Sequence, residues 1–253
     1  MTRNIPDRLR RLAGRLIDRA RSIRSLSAYP DKLLRTIEIL ARGYGWIETY
    51  ESGLPIDAKG QPIPWFTYPA IEYLNRFDLA GKRIFEYGSG NSTKYWLRRG
   101  AKLWSVESDE TWYQRFGHQD VRDHAAFLCH DRTEYVEAIR HPRCQFDVIV
   151  IDGVWREECA VEAPRHLARG GFIIVDNMDW YPHIAADLRE QSLFQIDFSG
   201  FGPWNDYTWT TSLFVAAAAV DQRGFRDSVP IGGYEEGIQP RRIEEPASAH
   251  AAK

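Results

Sequence analysis

The hydrophobic positions of this chain alternate between short apolar runs and segments of helical periodicity. Apolar runs that predict buried strands lie at residues 83–87, 102–106, 125–129, 146–151 and 171–175. Between most of these runs, apolar residues recur at intervals of three or four positions, as they do on one face of a helix. Strands joined by helical crossovers run parallel, so the pattern predicts a parallel sheet that is covered on both faces.

Two further apolar runs, at residues 193–198 and 210–215, are separated by a loop that contains Gly, Pro and Asn. The loop leaves no room for a crossover helix, so these two strands are predicted to be antiparallel. A terminal antiparallel hairpin distinguishes the chain from a NAD-binding domain. The predicted fold class is therefore α/β, with a layer of helices on each face of the sheet.

The segment before this core predicts helices. Residues 5–24 space apolar side chains at helical intervals with arginines between them, and residues 32–42 continue as a second helix. A basic amphipathic helix can dock on its own domain, on a partner, or on an anionic membrane surface at the inner face of the membrane.

The predicted division of the chain follows from these patterns. We expect N-terminal helices over residues 1–42, the main domain over residues 43–218, and a disordered tail over residues 219–253, where apolar residues are scarce. The main domain begins with residues 43–69, which are rich in Gly, Pro and aromatic residues and predict a hairpin or loop.

Composition narrows the class of protein. The chain has 253 residues, 43% of them hydrophobic, which is enough for one sizeable core. Its formal net charge of −2 gives no overall attraction for nucleic acid, so no nucleic-acid partner is expected. The three cysteines lack CxxC spacing, no apolar run reaches the length of a membrane span, and no secretory signal is visible. We therefore expect a cytoplasmic protein.

The turn after the first predicted strand is the strongest chemical signal. Gly88 and Gly90 allow a sharp turn and the close approach of a ligand, and Asn91 is a residue type that opens helices. Thr93 stands where a dinucleotide-binding fingerprint has its third glycine, and Glu86 would repel a pyrophosphate. The turn therefore favours a nucleoside with a cationic sulfonium over a dinucleotide.

Acidic residues lie at or just after the ends of all five predicted parallel strands, namely Glu86, Glu107, Asp131, Asp152 and Asp176. The carboxyl ends of parallel strands share one edge of the sheet, where ligands bind. Carboxylates crowded there would repel one another, so we expect a bound cation, hydroxyls or amines to offset them.

At this point the chain resembles the class I S-adenosylmethionine-dependent methyltransferases over about residues 43–216. The resemblance is carried by EYGSG at 86–90, the acid Glu107, FDVIVIDG at 146–153 and GGFIIVDN at 170–177. Residues 64–71, 176–182 and 197–214 are similar to an uncharacterised bacterial branch of that family.

The resemblance implies a Rossmann-like sandwich of seven strands in the order 3-2-1-4-5-7-6, with strand 7 antiparallel. It implies S-adenosyl-L-methionine as the cofactor, and methyl transfer to oxygen or nitrogen of a small-molecule or glycan-type acceptor. A non-catalytic nucleoside-binding or scaffold protein, recruited through the arginine-rich helix, is the alternative, and a NAD-linked oxidoreductase is disfavoured.

By the same resemblance, the cofactor would be bound by Glu86, Tyr87, Gly88, Ser89, Gly90, Asn91, Glu107, Asp131, Arg132 and Asp152. The two glycines would face its methionine moiety. Glu107 would accept hydrogen bonds from the ribose hydroxyls, and Asp131 with Arg132 would lie at the adenine end.

The acceptor side is expected to involve Asp152 and Asp176, as a general base or as groups that orient the acceptor. The expected walls of the acceptor pocket are Trp65, Tyr68, Asn177, Trp180 and Tyr181. Two alternatives remain: the aromatic residues at 65–68 can instead anchor a loop to the core, and Trp180 can be a core residue.

Two of these acids and a neighbouring amide also resemble a set of metal ligands. Asp152, Asp176 and Asn177 are similar to the oxygen ligands of Mg-dependent catechol-type O-methyltransferases. The lysine that those enzymes use as a base is absent, since residues 155–157 are Trp, Arg and Glu. A site without metal is therefore favoured, and Mg²⁺ at these three residues is the alternative.

Overall fold

The computed structural model describes residues 30–117, 123–216 and 231. Within these residues, seven strands form one sheet in the order β3-β2-β1-β4-β5-β7-β6, as predicted. The strands are β1 (Arg83–Tyr87), β2 (Lys102–Glu107), β3 (His124–Leu128), β4 (Phe146–Ile151), β5 (Leu167–Val175), β6 (Leu193–Gly200) and β7 (Trp209–Ala216). Strands β1 to β5 pair in parallel, and β7 is antiparallel to both β5 and β6.

Helices cover both faces of this sheet, which makes the fold a Rossmann-like three-layer sandwich. The described α-helices are α1 (Pro30–Glu38), α2 (Trp46–Ser52), α3 (Tyr68–Leu74), α4 (Asn91–Arg98), α5 (Glu110–Trp112), α6 (Arg132–Glu137), α7 (Arg156–Glu162) and α8 (Pro182–Glu190). Helix α7 gives way to a 3₁₀ turn over Ala163–His166. Pro164 lies in that turn, where the sequence predicts a kink, because proline cannot continue an α-helical hydrogen-bond ladder.

The core lies on both sides of the central strands. Phe85, Ile149 and Ile173 pack in a cluster on one face of the sheet, whereas Val150 and Ile174 pack in a second cluster on the other. Five of the six residues of β4 are buried, as expected for a parallel strand with helices above and below it. This arrangement fixes the positions at which the strands end, and so the position of any ligand site there.

The segment at residues 43–69 differs from its prediction. It contains helix α2, and the predicted hairpin is reduced to a single antiparallel bridge between Ile56 and Pro62. Gly45 (φ 80°) and Gly53 (φ 69°) flank α2 in the left-handed region, where glycine carries no Cβ penalty. The glycines that suggested a loop are therefore the boundaries of a short helix.

Two predictions lie outside the described residues: the basic amphipathic helix at 5–24 and the disordered tail at 219–253. Ile231 is the exception within the tail, and its backbone N–H donates to Glu72 Oε1 at 2.8 Å. The three cysteines are free thiols. None of the described helices combines the length and the apolar content that crossing a bilayer requires.

Candidate functional site

A cleft of about 560 Å³ opens at the carboxyl ends of β1, β2 and β4. Its walls come from residues 88–92 after β1, residues 107–109 after β2 and residues 152–154 after β4, and from four flanking side chains, Leu54, Pro55, Trp65 and Trp112. The chain order along the sheet reverses between β1 and β4, which is where ligands bind in open α/β sheets. The volume is in the range of small-molecule sites.

Gly88 shapes the floor of this cleft. Its φ of 96° is left-handed, and a Cβ there would lie 2.9 Å from the Cα of Gly153. The loops after β1 and β4 therefore touch backbone to backbone. A side chain at Gly88 would therefore meet the neighbouring loop, while Gly88 itself lines the cleft.

Gly90 is the glycine with open space beside it. Its backbone is extended (φ −176°), and a Cβ there would meet only Ser92 Oγ, at 3.7 Å. Because Gly90 also lines the cleft, a longer side chain at this position would extend into the cleft. Close approach of a ligand to the backbone is thus a property of Gly90.

Two polar atoms beside Gly90 have no partner. Ser89 Oγ and Asn91 Oδ1 are buried without a hydrogen bond, although the Asn91 side-chain amide donates to the Pro55 carbonyl at 2.7 Å. A buried polar group that stays unpaired costs about 1–3 kcal/mol. Both residues line the cleft, so a polar ligand there would supply the missing partners.

Glu107 ends β2 with its carboxylate in the same cleft. Its Oε2 accepts from the Ser89 backbone N–H at 2.8 Å, and its Oε1 accepts from the N–H groups of Ser108 and Asp109 at 2.7 and 3.0 Å. A carboxylate has about four acceptor sites, so roughly one remains for a ligand hydroxyl. The backbone thus fixes the orientation of Glu107.

The charge of the cleft is one-sided. Its lining includes the carboxylates of Glu107, Asp109 and Asp152, and among the described residues that line it there is no Lys, Arg or His. Such walls attract a cationic group and repel phosphate.

Asp152 is held at the cleft by a cation that does not line it. Arg156 Nη2 lies 3.0 Å from Asp152 Oδ1. Burial raises the pKa of Asp152 to about 6, while the charge of Arg156 and its hydrogen bond act in the opposite direction. At neutral pH the carboxylate is therefore ionised but close to its titration range.

Arg156 also joins the loops after β4 and β5. It donates to the backbone carbonyls of Asp152, Gly153 and Asp176 and to the Asn177 side-chain oxygen, at 2.6 to 3.0 Å. Sequence reasoning missed this role of Arg156. The signal that could have indicated it is the spacing of four residues between Asp152 and Arg156, which suits an ion pair. The guanidinium thus donates to Asp152 and Asn177, two of the three side chains that resemble Mg²⁺ ligands. In the described parts of the chain, no three acidic, His or Cys side chains are arranged to hold a metal.

Asp176 does not line the cleft. Its Oδ1 accepts from Trp209 Nε1 at 3.1 Å and from the Thr211 hydroxyl, so it ties the end of β5 to β7. Burial, and then the neighbouring charge of Asp152, raises the pKa of Asp176 well above its usual range. Of the two predicted catalytic acids, the structure brings only Asp152 to the cleft.

Glu86 and Tyr87 point away from the cleft as well. Glu86 is buried beneath α4, where it accepts from Thr93 Oγ1 at 2.6 Å and from Trp96 Nε1 at 3.0 Å. Tyr87 donates its hydroxyl to the Val136 carbonyl at 2.8 Å. The Thr93 hydroxyl also accepts from the Gly90 N–H at 3.0 Å. Thr93, which stands where a dinucleotide-binding fingerprint has its third glycine, thus links Glu86 to the turn after β1.

The predicted adenine-end residues are also elsewhere. Asp131 caps α6 by accepting from the backbone N–H groups of its first turn, and Arg132 forms an exposed ion pair with Glu158 at 3.1 Å. Trp112, which sequence reasoning missed, lines the cleft instead. Its ring stacks on Phe116 at 4.8 Å and is 41% exposed, so it can offer a flat surface to a base.

The residues predicted to bind the acceptor separate into two groups. Trp65 lines the cleft, whereas Tyr68 is buried and stacks on Tyr44 with 4.3 Å between ring centroids. The segment at 65–68 is therefore both a wall and an anchor. The other three members of the predicted set do not line the cleft: Asn177 and Tyr181 contact Arg156, and Trp180 is 57% exposed.

The fold and the cleft define a Rossmann-like domain with an open cleft at its switch point. Protein-family models and curated proteins gave no match to this chain. Among solved structures, a methyltransferase from Pyrococcus furiosus is 19% identical, with 74% of this chain and 99% of that chain covered and a TM-score of 0.42.

Two other solved structures are similar at the same level. A methyltransferase-like protein from Silicibacter pomeroyi is 17% identical, with 66% of this chain and 99% of that chain covered and a TM-score of 0.42. A precorrin-6y C5,15-methyltransferase from Geobacter metallireducens is 10% identical, with 56% and 85% covered and a TM-score of 0.42. Such distant likenesses carry no argument about function, which has to come from the cleft itself.

Proposed function

We propose that this chain is an S-adenosylmethionine-dependent methyltransferase that acts on oxygen or nitrogen of a small-molecule or glycan-type acceptor. The observation that carries the proposal is the acidic lining of the switch-point cleft, with three carboxylates and, among its described residues, no basic side chain. A dinucleotide would bring a pyrophosphate to these acids. A nucleoside with a sulfonium brings a positive charge, which the acids stabilise.

The cofactor would be held by polar groups that lack a hydrogen-bond partner or can accept a further hydrogen bond. Glu107 has an acceptor site for a ribose hydroxyl, and Ser89 Oγ and Asn91 Oδ1 suit the polar amino-acid end. Gly90 leaves room beside the backbone, and Trp112 offers a face to the base. The cofactor supplies a methyl group that is already activated, so the protein chiefly has to align the acceptor and exclude water.

Asp152 is the side chain proposed to orient the acceptor or to take its proton. It lines the cleft, and Arg156 fixes one of its oxygens. A general base is most effective when its pKa lies near the working pH, and a pKa of about 6 meets that condition. Asp176, which has two side-chain donors and lies outside the cleft lining, is not proposed for this role.

Binding is tested by titration calorimetry of the wild-type chain with S-adenosylmethionine and with S-adenosylhomocysteine. We expect heat of binding for both, and at least about a tenfold loss in Gly90→Val, because the added side chain extends into the cleft. Thermal unfolding of Gly90→Val should match that of the wild type, since φ at this position is extended. Absence of binding to the wild-type chain, or equal binding to Gly90→Val, contradicts the proposal.

Transfer is tested with a deuterated methyl donor and a cell extract, by mass spectrometry of products that gain a trideuteromethyl group. We expect labelled products with the wild-type chain and a loss of label with Asp152→Asn, while Asp152→Asn still binds S-adenosylhomocysteine. Cofactor binding without any labelled product would favour the non-catalytic alternative. Enhanced fluorescence of NADH on mixing would favour an oxidoreductase.

A further inference from the structure

Four aromatic side chains from three separate segments form a chain of ring contacts that ends at Trp65, a residue of the cleft wall. Trp46 and Tyr50 lie on α2, Trp65 precedes α3, and Trp204 lies between β6 and β7. Ring centroids are 5.6 Å apart for Trp46 and Tyr50, 5.3 Å for Tyr50 and Trp204, and 6.3 Å for Trp204 and Trp65. We call these four side chains the aromatic ledge. Since Trp65 also lines the cleft, the ledge leads into it.

The ledge keeps much of its aromatic surface exposed. Tyr50 is 60% exposed and Trp204 is 39% exposed. Single exposed aromatic residues are common on soluble proteins, but a contiguous set marks an interaction site. Its continuity with the cleft indicates that the occupant of the ledge is the molecule that enters the cleft beside Trp65.

Trp204 is held in a costly backbone conformation. Its φ of 69° lies in the left-handed region, which a bulky residue rarely adopts and which costs about 1–3 kcal/mol. The loop around it is firmly anchored. Gly202 is buried so closely that a Cβ would overlap the Trp209 ring, and Trp46 Nε1 donates to the Asn205 carbonyl at 3.4 Å. The exposed ring of Trp204 is thus presented on an anchored loop.

We propose that the aromatic ledge binds a saccharide ring of the methyl acceptor, an inference that rests on the proposed methyltransferase function. A pyranose has an apolar face of C–H groups, which lies flat on an aromatic ring, and a rim of hydroxyl groups. Glu51 and Asp206 are exposed neighbours of ledge residues along the chain. Their carboxylates can accept hydrogen bonds from hydroxyls and repel anionic ligands.

The geometry also gives the acceptor a direction. A saccharide that lies on Trp204 and continues past Trp65 enters the cleft that Asp152 lines. Its hydroxyl would then be within the site where Asp152 can take a proton. The ledge thus selects the acceptor, while the residues of the cleft bind the cofactor.

The test compares the full-length wild-type chain with Trp204→Gly on an array of neutral oligosaccharides. Glycine removes the ring and tolerates the left-handed backbone, so we expect Trp204→Gly to keep a melting temperature equal to or above that of the wild type. Oligosaccharides retained by the wild type should bind about tenfold or more weakly to Trp204→Gly and to Tyr50→Ala. Trp204→Phe should restore part of the binding.

The matched control is Phe194→Ala, which removes an aromatic ring of β6 that is 65% exposed and does not belong to the ledge. It should bind oligosaccharides as the wild type does. Calorimetry with S-adenosylhomocysteine separates the two proposals, because Trp204→Gly and Tyr50→Ala change residues outside the cleft lining and should bind it within about twofold of the wild type.

Three outcomes overturn the inference while cofactor binding stands: no oligosaccharide retained by the wild type, equal retention by Trp204→Gly, or a Trp204-dependent site that accepts 2-naphthol and no oligosaccharide. A clear fall in the melting temperature of Trp204→Gly, with unchanged glycan binding, would make Trp204 an anchor and not a ligand contact. Failure of the wild-type chain to bind S-adenosylhomocysteine overturns the proposed function, whatever the array shows.

Discussion

Glu86 illustrates at the residue scale how a side chain that resembles a ligand group becomes part of the core. The sequence predicts that it lies at the end of β1, which is correct, but not which way its carboxylate points. Its direction depends on Thr93 and Trp96, which α4 brings over the strand end. These partners are obvious only once the helix is in place.

The same argument covers the other residues of the site. Glu107, Asp152 and the Gly88–Asn91 turn follow from strand ends and glycine chemistry, and all line the cleft. Arg156 and Trp112 were missed because neither belongs to a motif. Arg156 also acts through Asp176 and Asn177, about 20 residues further along the chain. Asp176 is turned toward Trp209, a contact that only the antiparallel hairpin creates.

The burial of Glu86 predicts a pH dependence of stability. Burial raises its pKa to about 7, above an ordinary value of 4.5, so the folded state holds a proton that the unfolded state loses first. The contribution of Glu86 to stability is therefore largest below about pH 4.5 and falls as pH rises toward 7, by an amount on the order of 3 kcal/mol.

Glu86→Gln removes this titration and keeps the shape of the side chain. We expect the decrease in the free energy of unfolding between about pH 4.5 and 7, measured with urea, to shrink in this variant. Glu190→Gln, a change of an exposed glutamate at the end of α8, is the control and should keep the wild-type dependence. Equal pH profiles for wild type and Glu86→Gln would contradict the prediction.

At the scale of elements, Glu162 connects α7 to its surroundings. Its carboxylate accepts from Arg140 at 2.8 Å, from Arg165 at 2.7 Å and from His166 at 2.8 Å. The hydrogen bond from Arg140 is the main reason that the pKa of Glu162 falls to about 2. One buried carboxylate thus joins the end of α7 to the 3₁₀ turn over Ala163–His166 and to a second 3₁₀ turn over Ala138–Arg140.

Glu162→Gln should lower the free energy of unfolding at neutral pH by about 1–3 kcal/mol, because three donors lose a charged acceptor. Since the folded pKa is depressed, the stabilisation is complete above about pH 4.5 and is lost as pH falls toward 2. Chemical denaturation at several pH values measures both effects. The control is Glu158→Gln, which breaks an exposed pair with Arg132 and should lower the free energy of unfolding by less than about 1 kcal/mol. A decrease as large as that of Glu162→Gln would contradict the prediction that Glu162 is specially important for stability.

Helix α2 marks the limit of prediction at this scale. It has seven residues between two left-handed glycines, and such a short helix depends on the contacts around it more than on its own periodicity. The strands and the crossover helices could be predicted because the spacing of their apolar residues is regular over the whole length of each element. The start of β5 at Leu167 was missed because Gly170 and Gly171 suggested a break.

For the molecule as a whole, the pattern of apolar runs predicts five parallel strands followed by an antiparallel hairpin. The order 3-2-1-4-5-7-6 came from the family resemblance, since hydrophobic pattern does not decide which strands are neighbours. That order creates the switch point between β1 and β4, and so determines where the cleft opens. Of the acids at the five strand ends, Glu86, Asp131 and Asp176 do not line the cleft, because each is bonded to groups elsewhere in the fold.

The distribution of charge over the molecule leads to the last prediction. The whole chain carries a formal charge of only −2, whereas the described lining of the cleft has three carboxylates and no cation. Electrostatic attraction for a cationic nucleoside therefore comes mainly from the cleft itself. Salt screens such attraction over about 10 Å at 0.1 M.

We expect the Kd of S-adenosylmethionine to rise roughly two- to fivefold more than that of the thioether product, which lacks the sulfonium charge, between about 0.05 and 0.5 M NaCl. Asp109→Asn should reduce this difference, because it removes one cleft charge while asparagine can still cap α5, where Asp109 accepts from the Trp112 N–H. Calorimetry at several salt concentrations measures the effect. The same salt dependence for both nucleosides would mean that the acids of the cleft do not face the sulfonium, and the acidic lining would then no longer support a methyl donor over other nucleosides.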